Sequence, residues 1–324
     1  MRKKWIRGGI FLCLVLLLLS NLNRILCVKS PHGVDQTRYL YVQPKNKIDV
    51  LFLGSSHVHC NVNTQLLWDE YGMAAYLMTG AEQPLWNSYY NLKEALKTQK
   101  PKLVVLDMFC PSRFYDDFQP GWADENLDGM RISLNKLEAV YTSVQEEQSH
   151  FFLGFTEYHS RYDQLTTEDF QNFVWNRKTQ ERWKGYTPLN RHAELTEPDM
   201  SHVTTSQEMT EKSKEYFEKI VELTKKEGIT LALISGPYLL EERDQEVYNS
   251  IGQLAEKDGL LFWNTNTPAH YREMGLDFST DYADHAHLNE AESTRRILES
   301  GFLKITAFPT AGDKRAMNRG KTSS

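Results

Sequence analysis

The chain has 324 residues, with 37 Lys and Arg against 43 Asp and Glu and a formal net charge of −6. Length and an apolar content of 40% allow one large core or two small ones, and the scattered basic residues argue against a nucleic-acid surface. The four cysteines show no C-x-x-C spacing and no zinc-ligand cluster, so neither a disulfide framework nor a metal or other cofactor is expected.

The first segment differs from everything after it. Arg2, Lys3, Lys4 and Arg7 precede an unbroken small and apolar run, Gly8 to Leu19, and then come Ser20, Asn21, Asn23 and Arg24. That run falls short of the roughly 20 residues a spanning helix needs. A helix extended from Trp5 to Val28 would cross a bilayer. No small-x-small cleavage site follows, so an uncleaved signal anchor over 1–29 is favoured over a cleaved signal. The basic flank belongs in the cytoplasm, which puts the rest of this single-pass chain outside. Residues 30–47 read as a polar linker.

Strands and helices then alternate. Ile48 to Leu53 is a short apolar run ending at Gly54, the signature of a strand buried on both faces. Gly54-Ser55-Ser56-His57 follows, where the glycine permits a tight turn and a serine can present its hydroxyl and its own amide. A turn serine capping a helix is the plainer reading of that tripeptide. Thr64 to Tyr71 is a short helix and Ala74 to Met78 a second strand, ending at Thr79-Gly80. Pro84 to Thr98 is a helix with its proline in the first turn, and Leu103 to Met108 is a third strand. Cys60 and Cys110 each follow a strand, which leaves open both a disulfide between them and two buried thiols.

Alternation breaks between about 110 and 205. This stretch is rich in aromatics, among them Phe114, Tyr115, Trp122, Phe151, Tyr162, Trp175 and Tyr186, and in Asp, Glu, Asn and Gln. It reads as a helical and irregular insertion over the active edge, within a domain covering 48–308. His159 and Arg161 are candidate contacts for an anionic or acyl-bearing group; a solvated turn beside packed aromatics explains them equally well. Beyond it come a helix from Gln207 to Lys226 stopped by Gly228, a strand from Thr230 to Ile234, a helix from Glu241 to Lys257, a strand from Leu260 to Trp263 and a helix from Glu290 to Ile305. The polar tail, 309–324, lacks periodicity and reads as disordered. The pattern predicts an α/β fold with a parallel sheet covered on both faces, whose functional groups gather beyond the strand C-termini.

Just before the closing helix stands Asp284-His285-Ala286-His287-Leu288-Asn289. Asp284 and His287 can lie side by side on one turn, so the carboxylate orients the imidazole and leaves its other nitrogen for a serine hydroxyl. His285 and Asp281 are competing members, and an Asp cap beside surface histidines is the plainer alternative. The two blocks together resemble the SGNH/GDSL superfamily of esterases and acyltransferases, with Ser55 where that family carries an aspartate. The resemblance implies a flavodoxin-like three-layer fold with Ser56 as nucleophile, His287 as base and Asp284 as its partner. It also implies an oxyanion hole made by the amides of Ser56 and Gly80. The family's third block, Gly-x-Asn-Asp, is missing: Leu106-Asp107-Met108-Phe109 stands in its place. Asn87 and Gln83 are possible substitute donors, or ordinary helix-terminus residues, and His57 is a further candidate substrate contact.

With the anchor, these departures resemble the exported bacterial branch that moves acyl groups on cell-envelope polymers. That likeness implies an envelope polysaccharide or acylated glycan as partner, a membrane-bound acyltransferase as a second, and no nucleic acid. A catalytically inactive polysaccharide-binding or scaffold protein of the same fold is the alternative.

Overall fold

The computed structural model describes residues 2–27, 33–113, 117–119, 121–171 and 177–289. Five parallel strands form one sheet: β1 (Val50–Gly54), β2 (Ala75–Thr79), β3 (Leu103–Asp107), β4 (Thr230–Ser235) and β5 (Leu261–Asn264). Their spatial order, β2-β1-β3-β4-β5, is the flavodoxin-like doubly wound order. Register pairs Gly54 with Thr79 and Asp107 with Ile234, so the C-terminal ends share one edge.

The helices in chain order are α1 (Arg2–Leu26), α2 (Val34–Leu40), α3 (Ser56–His59), α4 (Thr64–Tyr71), α5 (Leu85–Leu96), α6 (Phe109–Arg113) and α7 (Ala123–Leu127). They continue with α8 (Leu134–Ser143), α9 (Gly154–Tyr158), α10 (Thr167–Gln171), α11 (Arg177–Trp183), α12 (Glu211–Glu227), α13 (Glu242–Asp258) and α14 (Pro268–Met274). Alternate strand residues feed two separate cores, which is why the strands read as continuous apolar runs. Leu51, Leu53, Val104, Leu106, Leu231 and Leu233 pack against α5, α8, α12 and α13. Val50, Phe52, Val105, Ala232 and Ile234 pack against α4 and α14. Two helical layers around one sheet make the three-layer α/β arrangement.

α1 is long and apolar enough to cross a membrane, and its apolar face is uncovered by protein. Cys60 and Cys110 are free and buried.

Within the stretch read as a polar linker, residues 33–47 are more closely packed than their polarity predicts. All seven residues of α2 are buried, and Gln36 fastens the helix to the edge of β2. Its Oε1 accepts from the amide and hydroxyl of Thr79, each at 3.2 Å, and its Nε2 donates to Gly185 O at 2.7 Å. Polar side chains satisfied by the sheet edge hide this burial from a hydropathy reading. In the insertion, Phe151 and Tyr186 are core residues, whereas Trp122, Tyr162 and Phe170 are exposed. Phe114, Tyr115, Trp175, the helix expected over 290–305 and the tail over 309–324 lie outside the described residues.

Candidate active site

Two turns meet at the switch point of the sheet, where the chain order reverses between β1 and β3. The first is the exit of β1. Gly54 has φ +146°, and a Cβ there would lie 2.3 Å from the Asp107 Cβ, so only glycine lets β1 pass so close to the end of β3. Ser55 is fully buried. Its hydroxyl donates to Asp107 Oδ2 at 2.6 Å, its amide donates to the same oxygen at 3.1 Å, and its Oγ accepts from His57 N at 3.2 Å. Asp107 Oδ1 also accepts from Phe109 N at 3.1 Å. A carboxylate borrowed from β3 thus braces the turn that carries Ser56. Burial pushes the Asp107 carboxyl up to about 6, although these donors pull the other way.

The second turn is held at both ends by the core. Tyr282 and Leu288 are fully buried and bridge each other. Between them Ala283 N donates to His287 O at 2.9 Å, and Leu288 N donates to Asn61 Oδ1 at 3.3 Å, which closes the loop tightly. Asp284 Oδ1 accepts from the amides of Ala286 and His287 at 2.9 and 3.0 Å, and its contact with His287 Nδ1 is 2.9 Å. His287 Nε2 lies 2.8 Å from Ser56 Oγ. An ionised Asp284 fixes the ring proton on Nδ1, so Nε2 is the acceptor for the serine hydroxyl. Arg191 donates to the other carboxylate oxygen, Asp284 Oδ2, at 3.0 Å.

Electrostatics favour that state. Burial raises the Asp284 carboxyl, but the Ala286 amide, His287 and Arg191 together outweigh it and leave the group below its ordinary value. Burial lowers the His287 pKa below 6.5, against the opposing pull of Asp284. At neutral pH the pair is therefore a carboxylate and a neutral imidazole.

Other expected site residues fare differently. His285 is exposed and contributes only its carbonyl, which accepts from Leu239 N; His287 is the one that faces Ser56. No hydrogen bond is made by the Ser56 amide among the described residues. Gly80 does sit at the edge, but its N–H donates to Gly54 O at 3.3 Å, so it is not free to hold an oxyanion. Asn87 is fully buried between Gln119 and Ser143, at 2.9 and 2.5 Å. Gln83 is bound to Met78 O, Ser88 and Asn91. Both amides tie α5 to its surroundings, and neither is a substitute oxyanion donor.

His57 is likewise not a surface contact. It is buried, stacked on Phe109 at 3.5 Å between centroids and set edge-on to His287 at 5.5 Å, and neither ring nitrogen has a hydrogen-bond partner. Burial holds it neutral, well below its ordinary pKa. His159 is exposed and bonds its own turn through Thr156 O. Arg161 donates to the carbonyls of Leu26 and Cys27 and pairs with Asp169, so it caps the end of α1 instead of meeting a substrate.

Asp107 and Arg191 escaped the sequence reading. Asp107 ends an apolar strand at the position of the missing block, which was its only signal. Arg191 stands in an irregular segment with no pattern around it. Asn126, whose side chain packs on Gly80 so closely that a Cβ there would meet it at 2.1 Å, was equally silent.

No family model matches the chain, and no curated protein matches it. Several solved structures are distantly similar, two of them as follows. One is a protein from Bacteroides fragilis NCTC 9343 assigned as an acylhydrolase, at 11% identity and a TM-score of 0.40, over 83% of this chain and 93% of that one. The other is a catalytic mutant of an acetylxylan esterase from Geobacillus stearothermophilus, at 12% identity and a TM-score of 0.38, over 79% of this chain and 94% of that one.

Proposed function

We propose that the chain is a serine-dependent enzyme acting on acyl esters of an envelope glycan, held by α1 at the outer face of a bacterial cell membrane. The observation that carries this reading is the unbroken relay Ser56 Oγ–His287 Nε2 and His287 Nδ1–Asp284 Oδ1, at 2.8 and 2.9 Å. In the first step Ser56 Oγ bonds to the ester carbonyl carbon while its proton passes to His287 Nε2, and Asp284 stabilises the imidazolium. The Ser56 amide, which makes no hydrogen bond among the described residues, is the donor available to negative charge on the carbonyl oxygen. Collapse expels the alcohol, which takes the proton from His287 and leaves an acyl-Ser56 ester. Water or a sugar hydroxyl, deprotonated by His287, then releases the acyl group as a free acid or a new ester.

Support for a glycan comes from Trp122, 56% exposed and one turn from Asn126, which packs on Gly80. An exposed indole beside the site is a stacking platform for a sugar ring. One observation favours a second reading, that of a non-catalytic binder: the Gly80 amide is spent on Gly54, and the oxyanion site is short of donors.

A fluorophosphonate probe applied to the full chain in detergent separates the two. Labelling of Ser56 in the wild type, its loss in Ser56→Ala, and a fall of roughly a thousandfold or more in His287→Ala are expected. A wild type that reacts no faster than Ser56→Ala would establish the binder. Partition of released acyl groups between water and an oligosaccharide acceptor then distinguishes hydrolysis from transfer.

A further inference from the structure

The end of α1 is docked, not dangling. Arg161 donates to Leu26 O at 2.7 Å and Cys27 O at 2.5 Å, and Asn23 Oδ1 accepts from Phe155 N at 3.1 Å. Arg24 donates to Phe170 O at 3.2 Å. Beside this joint opens a cavity of about 330 Å³, walled by Ser20 and Arg24 of α1 and by Arg38, Arg131, Lys136 and Asp128. Four cations face one carboxylate there.

Arg38 is already engaged, with Asp35 at 3.8 Å and the Cys27 sulfur at 3.1 Å. The surplus charge therefore rests on Lys136, Arg131 and Arg24, the last of which is held by the Phe170 carbonyl. Lys136 is only 4% exposed, and its ammonium is 3.9 Å from Asp128, beyond hydrogen-bonding distance. Asp128 is itself shared with the Tyr158 hydroxyl, at 3.0 Å. Burial holds the lysine below its ordinary range and pushes the aspartate up to about 6, so the pair is poorly compensated as it stands. The Arg131 guanidinium lies over the Tyr41 ring at 4.1 Å.

Apolar side chains flank these cations in the open. Ile132 and Leu134, directly after Arg131, are 69% and 77% exposed, and Leu153 is 47% exposed next to Gly154, which packs on Asn23. Position along α1 matches this composition. At 1.5 Å per residue, Arg24 stands about 16 Å from the middle of the Gly8–Leu19 run, and the half-thickness of a hydrocarbon core is about 15 Å. The cavity mouth therefore falls at headgroup level, with the uncovered leucines of α1 running into the acyl layer.

We propose that this cavity binds the phosphate of a membrane phospholipid, with Lys136 and Arg131 as its ligands and Ile132 and Leu134 entering the lipid interface. It rests on the reading of α1 as a spanning helix and is independent of the chemistry at Ser56. A phosphate ester satisfies the surplus cations, and its acyl chains lie along α1. Free phosphate shares the anion chemistry but has no use for the apolar flank.

The test uses the full chain in nanodiscs of phosphatidylcholine and phosphatidylglycerol in equal parts, with lipid retention counted by native mass spectrometry after release. The wild type is expected to retain phospholipid, and Arg131→Gln, an exposed substitution, to reduce the retained fraction roughly tenfold, about 1.4 kcal/mol of affinity. Lys136→Gln should do the same with unchanged probe labelling of Ser56 as its folding control, and Ile132→Ser with Leu134→Ser should weaken retention further. Retention by Arg131→Gln equal to wild type overturns the headgroup site. So does inorganic phosphate bound to the wild type that excess phospholipid fails to displace, which would make free phosphate the ligand. Recovery of the protein outside the nanodiscs overturns the spanning reading and the site with it, whereas insertion without retained lipid overturns the site alone.

Discussion

Arg191 reaches Asp284 from outside the relay, and its contribution has a definite sign. Its positive charge disfavours the imidazolium of His287 and so lowers that pKa, while it also holds Asp284 ionised. Removing it in Arg191→Gln should raise the His287 pKa. A base with a higher pKa is lost to protonation at higher pH, so the acid limb of the pH–rate profile should move up. The guanidinium is largely exposed, and solvent screening keeps the effect modest, with the plateau rate within a few fold of wild type. Rates of fluorophosphonate labelling of the two proteins, measured across pH, provide the check. A downward shift of the limb would contradict this role.

The turn between β1 and α3 depends on its neighbour β3 more than on its own sequence. Asp107→Ala strands three buried donors, the Ser55 hydroxyl and the amides of Ser55 and Phe109. At about 1–3 kcal/mol for each lost partner, the cost is on the order of 3–9 kcal/mol, a large share of a typical stability. Asp107→Asn keeps an acceptor and the same shape, so it should lose less. Thermal melting of both variants ranks them, and equal melting temperatures for Asp107→Ala and wild type would remove Asp107 from the role of brace. At this scale the sequence was readable where one signal dominated. Apolar runs located all five strands, and Gly228 marked the end of α12, because burial on both faces and the αL stop leave direct traces. α2 was not readable, since its buried Asp35, Gln36, Thr37 and Arg38 look like solvent-facing residues. In the site, Asp284 and His287 could be paired because only two residues stand between them. The Ser55–Asp107 brace could not, because parallel pairing across the sheet joins residues 52 positions apart. Asn87 and Arg161, each open to two readings in the sequence, could not be decided there, because an amide or a guanidinium in a motif's vicinity does not reveal which backbone it serves.

For the molecule as a whole, buried ionisable groups pull stability in opposite directions with pH. Burial raises Asp107 to about 6, Glu125 to about 7 and Asp128 to about 6. An acid whose folded pKa is raised contributes stability that is fully present below its unfolded value and lost as pH rises through the folded one. His57 and His287 act the other way. Their folded pKa values lie below 6.5, so the unfolded chain binds more protons and stability falls as pH drops below 6.5. Between pH 7.5 and 5.5 the three carboxyls together gain about 3 kcal/mol, and the two imidazoles give back part of it. The formal charge of −6 also passes through zero near pH 6.0 within that interval, where self-repulsion is least. The full chain in nanodiscs should therefore be more stable at pH 5.5 than at pH 7.5. Two variants identify the groups responsible. His57→Phe, which keeps the stack on Phe109 and removes one opposing imidazole, should widen the difference. Glu125→Gln should narrow it, because that carboxyl carries the largest share of the gain in this window. Calorimetry of the three proteins at the two pH values measures all of these signs, and a wild type that melts lower at pH 5.5 would show that the imidazoles, not the carboxyls, govern its acid response.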